Sequence, residues 1–214
     1  MENIKKTLKQ QAYDYIKHKI KVCAYLPGEA IHELRIAEET GIGRTPVREA
    51  LLSLKEENLV EIRPRKGTFA PLITEEGINE MYQIRRLLEP VIAVRYKHNF
   101  EKSQLLDYDF LFKNLDISND EKYYNLDIEF HQYIADAAKN PALSEFYQKM
   151  MFTQYRIGAY NSICGTAKKE HYYSEHHAII LALLEEDDKK IEETCMYHIS
   201  RSHIISLQTL RSDI

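Results

Sequence analysis

The eleven residues Gly41-Ile42-Gly43-Arg44-Thr45-Pro46-Val47-Arg48-Glu49-Ala50-Leu51 constrain this chain most. Two glycines two apart cannot sit comfortably inside a helix, so they mark a turn. Thr45-Pro46 then reads as a helix start, with the hydroxyl at the N-cap and proline at the first helical position. Val47, Ala50, Leu51 and Leu54 recur at helical spacing and give that helix one apolar face. Upstream, Glu33 to Thr40 reads as a short helix ended by Gly41. Two short helices around a glycine turn are thus expected, the second helix beginning among positive charges.

The flanking segments agree. Leu8 to Val22 carries Ala12, Ile16 and Ile20 at four-residue steps, and Leu26-Pro27-Gly28 stops it. Leu59 to Arg63 and Thr68 to Leu72 read as extended runs joined by Pro64-Arg65-Lys66-Gly67, a small hairpin with a basic tip. From Thr74 the pattern becomes helical without strand signals. Thr74-Glu75-Glu76 opens one helix, and Ser118-Asn119-Asp120-Glu121 has a capping-box pattern that opens another, to about Ala138. Asn140-Pro141 starts the next, and two more span Lys168 to Glu186 and Lys189 to Leu210. The reading is mainly α: a winged helix-turn-helix (three helices and a β-hairpin) over 1–73, then an all-α antiparallel bundle over 74–214.

Charge divides at the same boundary. Through Ile73, 13 Lys+Arg face 10 Asp+Glu (net +3); from Thr74 onward 16 face 23 (net −7). A mildly basic head on an acidic body fits a module that meets a polyanion joined to one that does not. No apolar run approaches the roughly 18 residues needed to span a bilayer. Cys23, Cys164 and Cys195 share no metal-type spacing, and their odd number suits a reducing compartment. A cytoplasmic location is expected, with no membrane partner.

In a helix-turn-helix the N-terminal residues of the second helix reach base edges and phosphates. Arg48 projects opposite the apolar stripe, and Arg44 and Thr45 stand at the helix start. Arg65, Lys66 and Gly67 suit a wing tip, with two cations and a residue that lets backbone approach closely. These six are the candidate DNA contacts; any one arginine taken alone could equally be a solvated surface residue.

A second constellation lies in the body. Asp127 and His131 sit one turn apart on one face of a helix, and His176 and His198 lie on later helices. One carboxylate and three imidazoles suit a divalent transition metal (zinc, nickel or manganese), with coordination positions left over. His176 and His177 diverge by about 100° on a helix, and His177 lies off the Ile180, Leu183, Leu184 packing face. Spacing alone does not establish the site, because nine histidines make such pairs common by chance.

Residues 8–73 resemble the winged-helix domain of the GntR superfamily of bacterial regulators. The resemblance runs through Leu26-Pro27-Gly28, Glu33-x-x-Ile36-Ala37, Arg44-Thr45-Pro46-Val47-Arg48-Glu49-Ala50-Leu51, Leu59-Val60 and Arg65-Lys66-Gly67-Thr68-Phe69. Gly43 stands where that family usually has serine, and Leu34 where many members have arginine. Residues 75–210 resemble the FadR-type ligand-binding domain through Arg85-x-x-Leu88-Glu89, Asp127-x-x-Phe130-His131, Asn140-Pro141, Glu175-His176-x-Ala178-Ile179 and His198. That resemblance implies a homodimeric, ligand-responsive transcription regulator that binds a palindromic double-stranded operator, more often as a repressor. It also implies a metal on Asp127, His131, His176 and His198, and a small carboxylate effector.

Arg85 is a candidate clamp for that carboxylate, unless it pairs with Glu89 one turn on; Arg156 is a second candidate. No residue is assigned a catalytic role. The alternatives are a metal-dependent hydrolase, which would need Glu129 or Glu175 as a base although each is expected to point away from the ion, and a purely structural metal without an effector.

Overall fold

The computed structural model describes residues 6–165 and 171–212. The chain divides into two compact units, one ending at Ile73 and the other beginning at Thr74.

In the first unit, α1 (Leu8–Lys21), α2 (Glu33–Thr40) and α3 (Arg44–Glu56) surround a common core. The three helices pack on one another, and Ala12, Ile16 and Ile20 of α1, Ile36 of α2 and the Val47, Ala50, Leu51, Leu54 stripe of α3 are all buried. Gly41 ends α2 in the left-handed region at φ 70°, which costs a residue without a Cβ little. Strands β1 (Ala30–Ile31), β2 (Glu61–Arg63) and β3 (Gly67–Phe69) form an antiparallel sheet in the order β1-β3-β2. The register pairs Ile62 with Thr68 and Ala30 with Phe69. The β2–β3 connection is a tight turn closed by Lys66 N donating to Arg63 O at 3.0 Å. Pro64 takes its second position, and Arg65 the third at φ 62°, a conformation that glycine or asparagine usually fills.

Two features depart from the sequence pattern. Helix α3 begins at Arg44 with Gly43 as N-cap, rather than with Thr45 as cap. The first N–H groups of a helix have no intrahelical acceptor, so Pro46 is tolerated anywhere in the first turn and does not fix the first residue. The hairpin is a three-stranded sheet because Ala30–Ile31 adds an edge; two residues are too few to show an alternation.

In the second unit α4 (Glu75–Arg95) is followed by a 3₁₀ turn, Lys97–Asn99. Then come α5 (Lys102–Lys113), α6 (Asp120–Asp136), α7 (Pro141–Ile163), α8 (Tyr172–Glu185) and α9 (Asp188–Ser212). Caps place the starts: Thr74 Oγ1 accepts from Gly77 N, and Asn140 Oδ1 accepts from Ala142 N and Leu143 N. The cap of α6 is Asn119, which accepts from Lys122 N, while Ser118 turns back onto Asp116. The expected start of α8 at Lys168 lies outside the described residues. Helix α4 packs against α9, α6 and α7; α6 packs against α7, and α8 against α5 and α9. No described helix is long and apolar enough to cross a membrane.

Gly158 on α7 sets one wall of this unit. A Cβ there would stand 2.7 Å from Cδ1 of Tyr124, whose hydroxyl hydrogen-bonds Ser162 Oγ at 2.9 Å. Tyr124 is also wedged against Tyr123 and Tyr155, so it has little room to yield. We expect Gly158→Ala to cost about 1–3 kcal/mol by overpacking, a fall in Tm of several degrees in a thermal melt. An unchanged Tm would show that the Tyr124 ring moves freely.

Candidate metal centre and DNA-facing surface

Four side chains from three helices converge in the second unit. Asp127 and His131 come from α6, His176 from α8 and His198 from α9; one ligand atom from each lies within 4.8 Å of the others. All four residues are buried. Asp127 Oδ1 is 3.2 Å from His176 Nε2 and 3.7 Å from His131 Nε2, and His131 Nε2 is 3.1 Å from His198 Nε2. Bonds of about 2.0–2.2 Å to one ion place its ligand atoms roughly 3 to 4.3 Å from one another, so these separations fit a single cation.

The far sides of the His176 and His198 imidazoles set their tautomers. His176 Nδ1 donates to the Tyr172 carbonyl at 2.8 Å, and His198 Nδ1 to Glu175 Oε2 at 2.9 Å. His131 Nδ1 stands 2.8 Å from Glu89 Oε2, at ion-pair distance but without good hydrogen-bond alignment. A proton held on Nδ1 leaves the Nε2 lone pair facing inward, the arrangement that metal-bound histidines usually show. His176 Nε2 is buried without an aligned hydrogen bond among the described residues. A buried lone pair left so is unfavourable unless a cation or proton meets it.

Electrostatics point the same way. Burial pushes the His198 imidazolium down to about 4, with His176 adding to the effect. Burial also lowers His131. Burial alone would raise the Asp127 carboxyl, but His176, His131 and His198 outweigh it and hold Asp127 well below the usual range. Imidazolium disfavoured at His131 and His198 beside an ionised carboxylate at Asp127 suits a divalent ion.

Behind this layer stands a buried ion pair. Arg85 and Glu89 on α4 are 0% and 1% exposed, with the Arg85 Nε donating to Glu89 Oε1. Tyr147 donates to the same Oε1 at 2.5 Å. Arg85 Nη2 lies 3.0 Å from His131 Nε2, and its Nη1 is buried without a hydrogen-bond acceptor among the described residues. The i,i+4 pairing with Glu89 is therefore present, and the guanidinium also borders the four-residue cluster. Arg156 is buried on α7. It does not line the cavity beside Asp127, described next.

That cavity, of about 70 Å³, is bordered by Asp127 and His198 and lined by Tyr82, Tyr123, Tyr124, Gln154, Asn161 and Ser206, among others. Glu175 reaches its wall, bound on one side to His198 and on the other to Arg201. The spacing of the sequence does not disclose Glu89 or Glu175 as partners of the histidines, since both contacts cross between helices. His177 stands apart from the cluster, half-exposed, its Nδ1 2.6 Å from Asp109 Oδ1 on α5.

In the first unit Arg44, Thr45 and Arg48 are exposed at the start of α3, and Arg65, Lys66 and Gly67 are exposed at the β2–β3 turn. Gly67 adopts φ 111°, open to glycine and strained for other residues. None of these four cations has an ion-pair partner among the described residues, in contrast to Arg35 with Glu39 and Arg63 with Glu61. Gly43 makes no side-chain cap bond, and Leu34 is 56% exposed on α2.

A winged helix-turn-helix followed by an all-helical unit is the architecture of a bacterial transcription regulator. The bacterial regulatory proteins of the gntR family match over residues 8–70 and the FCD domain over residues 80–201; the chain belongs to the GntR family, with an FCD domain.

The HTH-type transcriptional repressor RspR of Escherichia coli (strain K12) is 28% identical over 133 residues, 60% of this chain and 58% of RspR. The HTH-type transcriptional regulator McbR of the same organism is 26% identical over 154 residues, 70% of this chain and 69% of McbR. The chain thus spans less than two thirds of the length of RspR. Among solved structures, E. coli McbR/YncC superposes with a TM-score of 0.77 at 21% identity, over 96% of this chain and all of that one. A transcriptional regulator GntR from Rhodococcus sp. RHA1 gives 0.79 at 20% identity, over 94% and 97%. The relatives are transcription regulators, so the hydrolase alternative is set aside.

Proposed function

We propose that this chain is a homodimeric repressor whose helical domain holds a divalent metal on Asp127, His131, His176 and His198 and a small organic acid beside it. The buried Nε2 of His176, without an aligned hydrogen bond although Asp127 Oδ1 is 3.2 Å away, converging with three other donor atoms, is the observation that carries the metal. When bound, the ion would supply a Lewis-acidic point to which a carboxylate can attach. Arg85, with one donor unused, borders the same cluster and would add a second contact. Arg156 is the further effector candidate, on α7.

In the head, Arg44, Thr45 and Arg48 would face the major groove, and Arg65, Lys66 and Gly67 a neighbouring backbone or groove. A two-fold dimer would read a palindromic operator. Effector and operator are coupled only if the effector prefers one of the DNA-competent and DNA-incompetent states.

The test is titration of metal-analysed protein against its own upstream DNA at two salt concentrations, with and without a panel of small carboxylates. Selective, salt-sensitive binding that one acid alters supports the regulator with its effector. Metal removal that lowers stability, while no acid affects DNA affinity, would instead establish a structural metal. Arg48→Ala is expected to weaken operator binding by about tenfold or more, the worth of a base contact of roughly 1–3 kcal/mol. Metal content and dimerisation should not change; an unaltered affinity would mean that α3 does not read the operator.

A further inference from the structure

The outward face of α3 carries one side chain that the polar contacts proposed above leave unused. A helix turns about 100° per residue, so Thr45, Arg48 and Leu52 fall within about 60° of one another around the axis. They lie opposite the buried stripe of the same helix. Leu52 is 48% exposed. Among the described residues of α3 it is the exposed apolar side chain; the others exposed there are charged or, at Thr45, hydroxylated.

Its surroundings divide by charge. Towards the start of the helix stand the exposed guanidinium groups of Arg44 and Arg48. On the side of Leu52 away from Arg48 stand the exposed carboxylates of Glu49 and Glu56. The arginines draw the start of the helix to a polyanion, whereas the carboxylates repel phosphate oxygens around Leu52. With α3 in a major groove, Leu52 therefore meets base edges rather than backbone.

A leucine offers neither a donor nor an acceptor to those edges. In the major groove guanine presents N7 and O6, adenine N7 and an amino group, and cytosine an amino group; thymine alone presents a methyl group. Pressed against leucine, each polar group would lose its water without gaining a partner, which is unfavourable. The methyl group loses only the water that apolar surfaces shed with a gain.

We infer, on the reading that α3 enters the major groove, that Leu52 is a specificity-determining residue packed on the C5-methyl of one thymine in each operator half-site. Arg48, one turn earlier, reads a neighbouring base pair by hydrogen bonding. Leu52 adds a selection that depends on no hydrogen bond.

The experiment is fluorescence-anisotropy titration of the full-length protein with duplexes from its footprinted upstream operator, each thymine in turn replaced by deoxyuridine. Deoxyuridine keeps the base pairing and the O4 acceptor and lacks only the methyl group. Wild type should lose about fourfold in affinity at one thymine per half-site, the worth of one buried methylene-sized group, and about fifteenfold with both half-sites changed. Leu52→Ala should bind the thymine and deoxyuridine duplexes alike, its side chain being too short to reach. Its melting curve checks the fold; should it not fold, the wild-type duplex series decides alone. Arg48→Ala should weaken binding to every duplex and keep the deoxyuridine penalty. Wild type indifferent to deoxyuridine at every thymine, or a penalty that persists in folded Leu52→Ala, would overturn the inference while leaving the helix-turn-helix regulator intact. Arg48→Ala binding as tightly as wild type would instead defeat the reading of α3 in the groove, and this inference with it.

Discussion

His176→Ala and His198→Ala will each abolish stoichiometric metal, while His177→Ala will retain it. The two adjacent histidines test the geometry as a matched pair. His176 is fully buried, presents Nε2 to the cluster and is clamped through Nδ1 to the Tyr172 carbonyl. His177 is half-exposed and paired with Asp109 on α5. Altering the groups that merely orient metal ligands costs roughly 10–100-fold in affinity, so removing a ligand outright should exceed that. Glu175→Gln, which weakens the grip on His198 Nδ1, should fall inside that range.

The measurement is metal per chain after dialysis against a competing chelator, with the thermal shift produced by added metal as a second readout. Alanine at 176 also leaves space beside Phe112, whose ring stacks on the imidazole at 4.3 Å between centroids. His176→Gln guards against reading a folding defect as a lost ligand. Loss of metal in His177→Ala with retention in His176→Ala would overturn the assignment.

That pair also marks how far sequence carries the site. The choice of His176 follows from helical phase, a local property, and so do the Asp127–His131 pair and the caps at Thr74 and Asn140. Interactions that cross between helices leave no spacing signal. Glu89 meets His131 from another helix, Glu175 meets His198, and Gln154 enters the cavity from α7. The expectation that Glu175 points away from the ion holds only for its relation to the Nε2 face; it serves the opposite nitrogen of His198 and lines the cavity.

Arg85 shows both kinds of information in one side chain. Its i,i+4 pairing with Glu89 is readable from the sequence, whereas the approach of its Nη2 to His131 is not. In the head, the glycine turn and apolar stripe disclose α2 and α3, but not the two-residue strand β1 or the start of α3 at Arg44. Helix α5 also escapes the pattern, because exposed Leu106, Phe110 and Leu111 blur its buried face of Leu105 and Phe112.

Breaking the buried Arg85–Glu89 pair should have the largest effect on stability. Burial alone would raise Glu89, but Arg85 and His131 outweigh it and hold its carboxyl well below the ordinary range. Burial likewise opposes the charged Arg85, and Glu89 more than compensates. Glu89→Ala would leave a guanidinium at 0% exposure with no counter-charge, Tyr147 without its acceptor and His131 Nδ1 without the carboxylate beside it. Loss of one partner of such a pair costs about 3–5 kcal/mol, a fall in Tm on the order of 10 °C.

The charge, rather than the contact area, is responsible. Arg85→Met combined with Glu89→Leu should therefore recover much of the loss, as replacing both members of a buried pair often does. It would not recover metal affinity, since His131 Nδ1 would still lack its carboxylate. The sign of the pH dependence follows from the lowered Glu89 carboxyl. Its contribution is complete above the unfolded value of about 4.3 and is lost as pH falls below that toward the folded value. Below that value, thermal melts of metal-free wild type should thus fall by more than those of the double variant, on top of a decline from about pH 6.5 toward 4 that the lowered His198 brings to both. A Glu89→Ala protein as stable as wild type, or a double variant no more stable than the single one, would show that the pair does not carry the core of this domain.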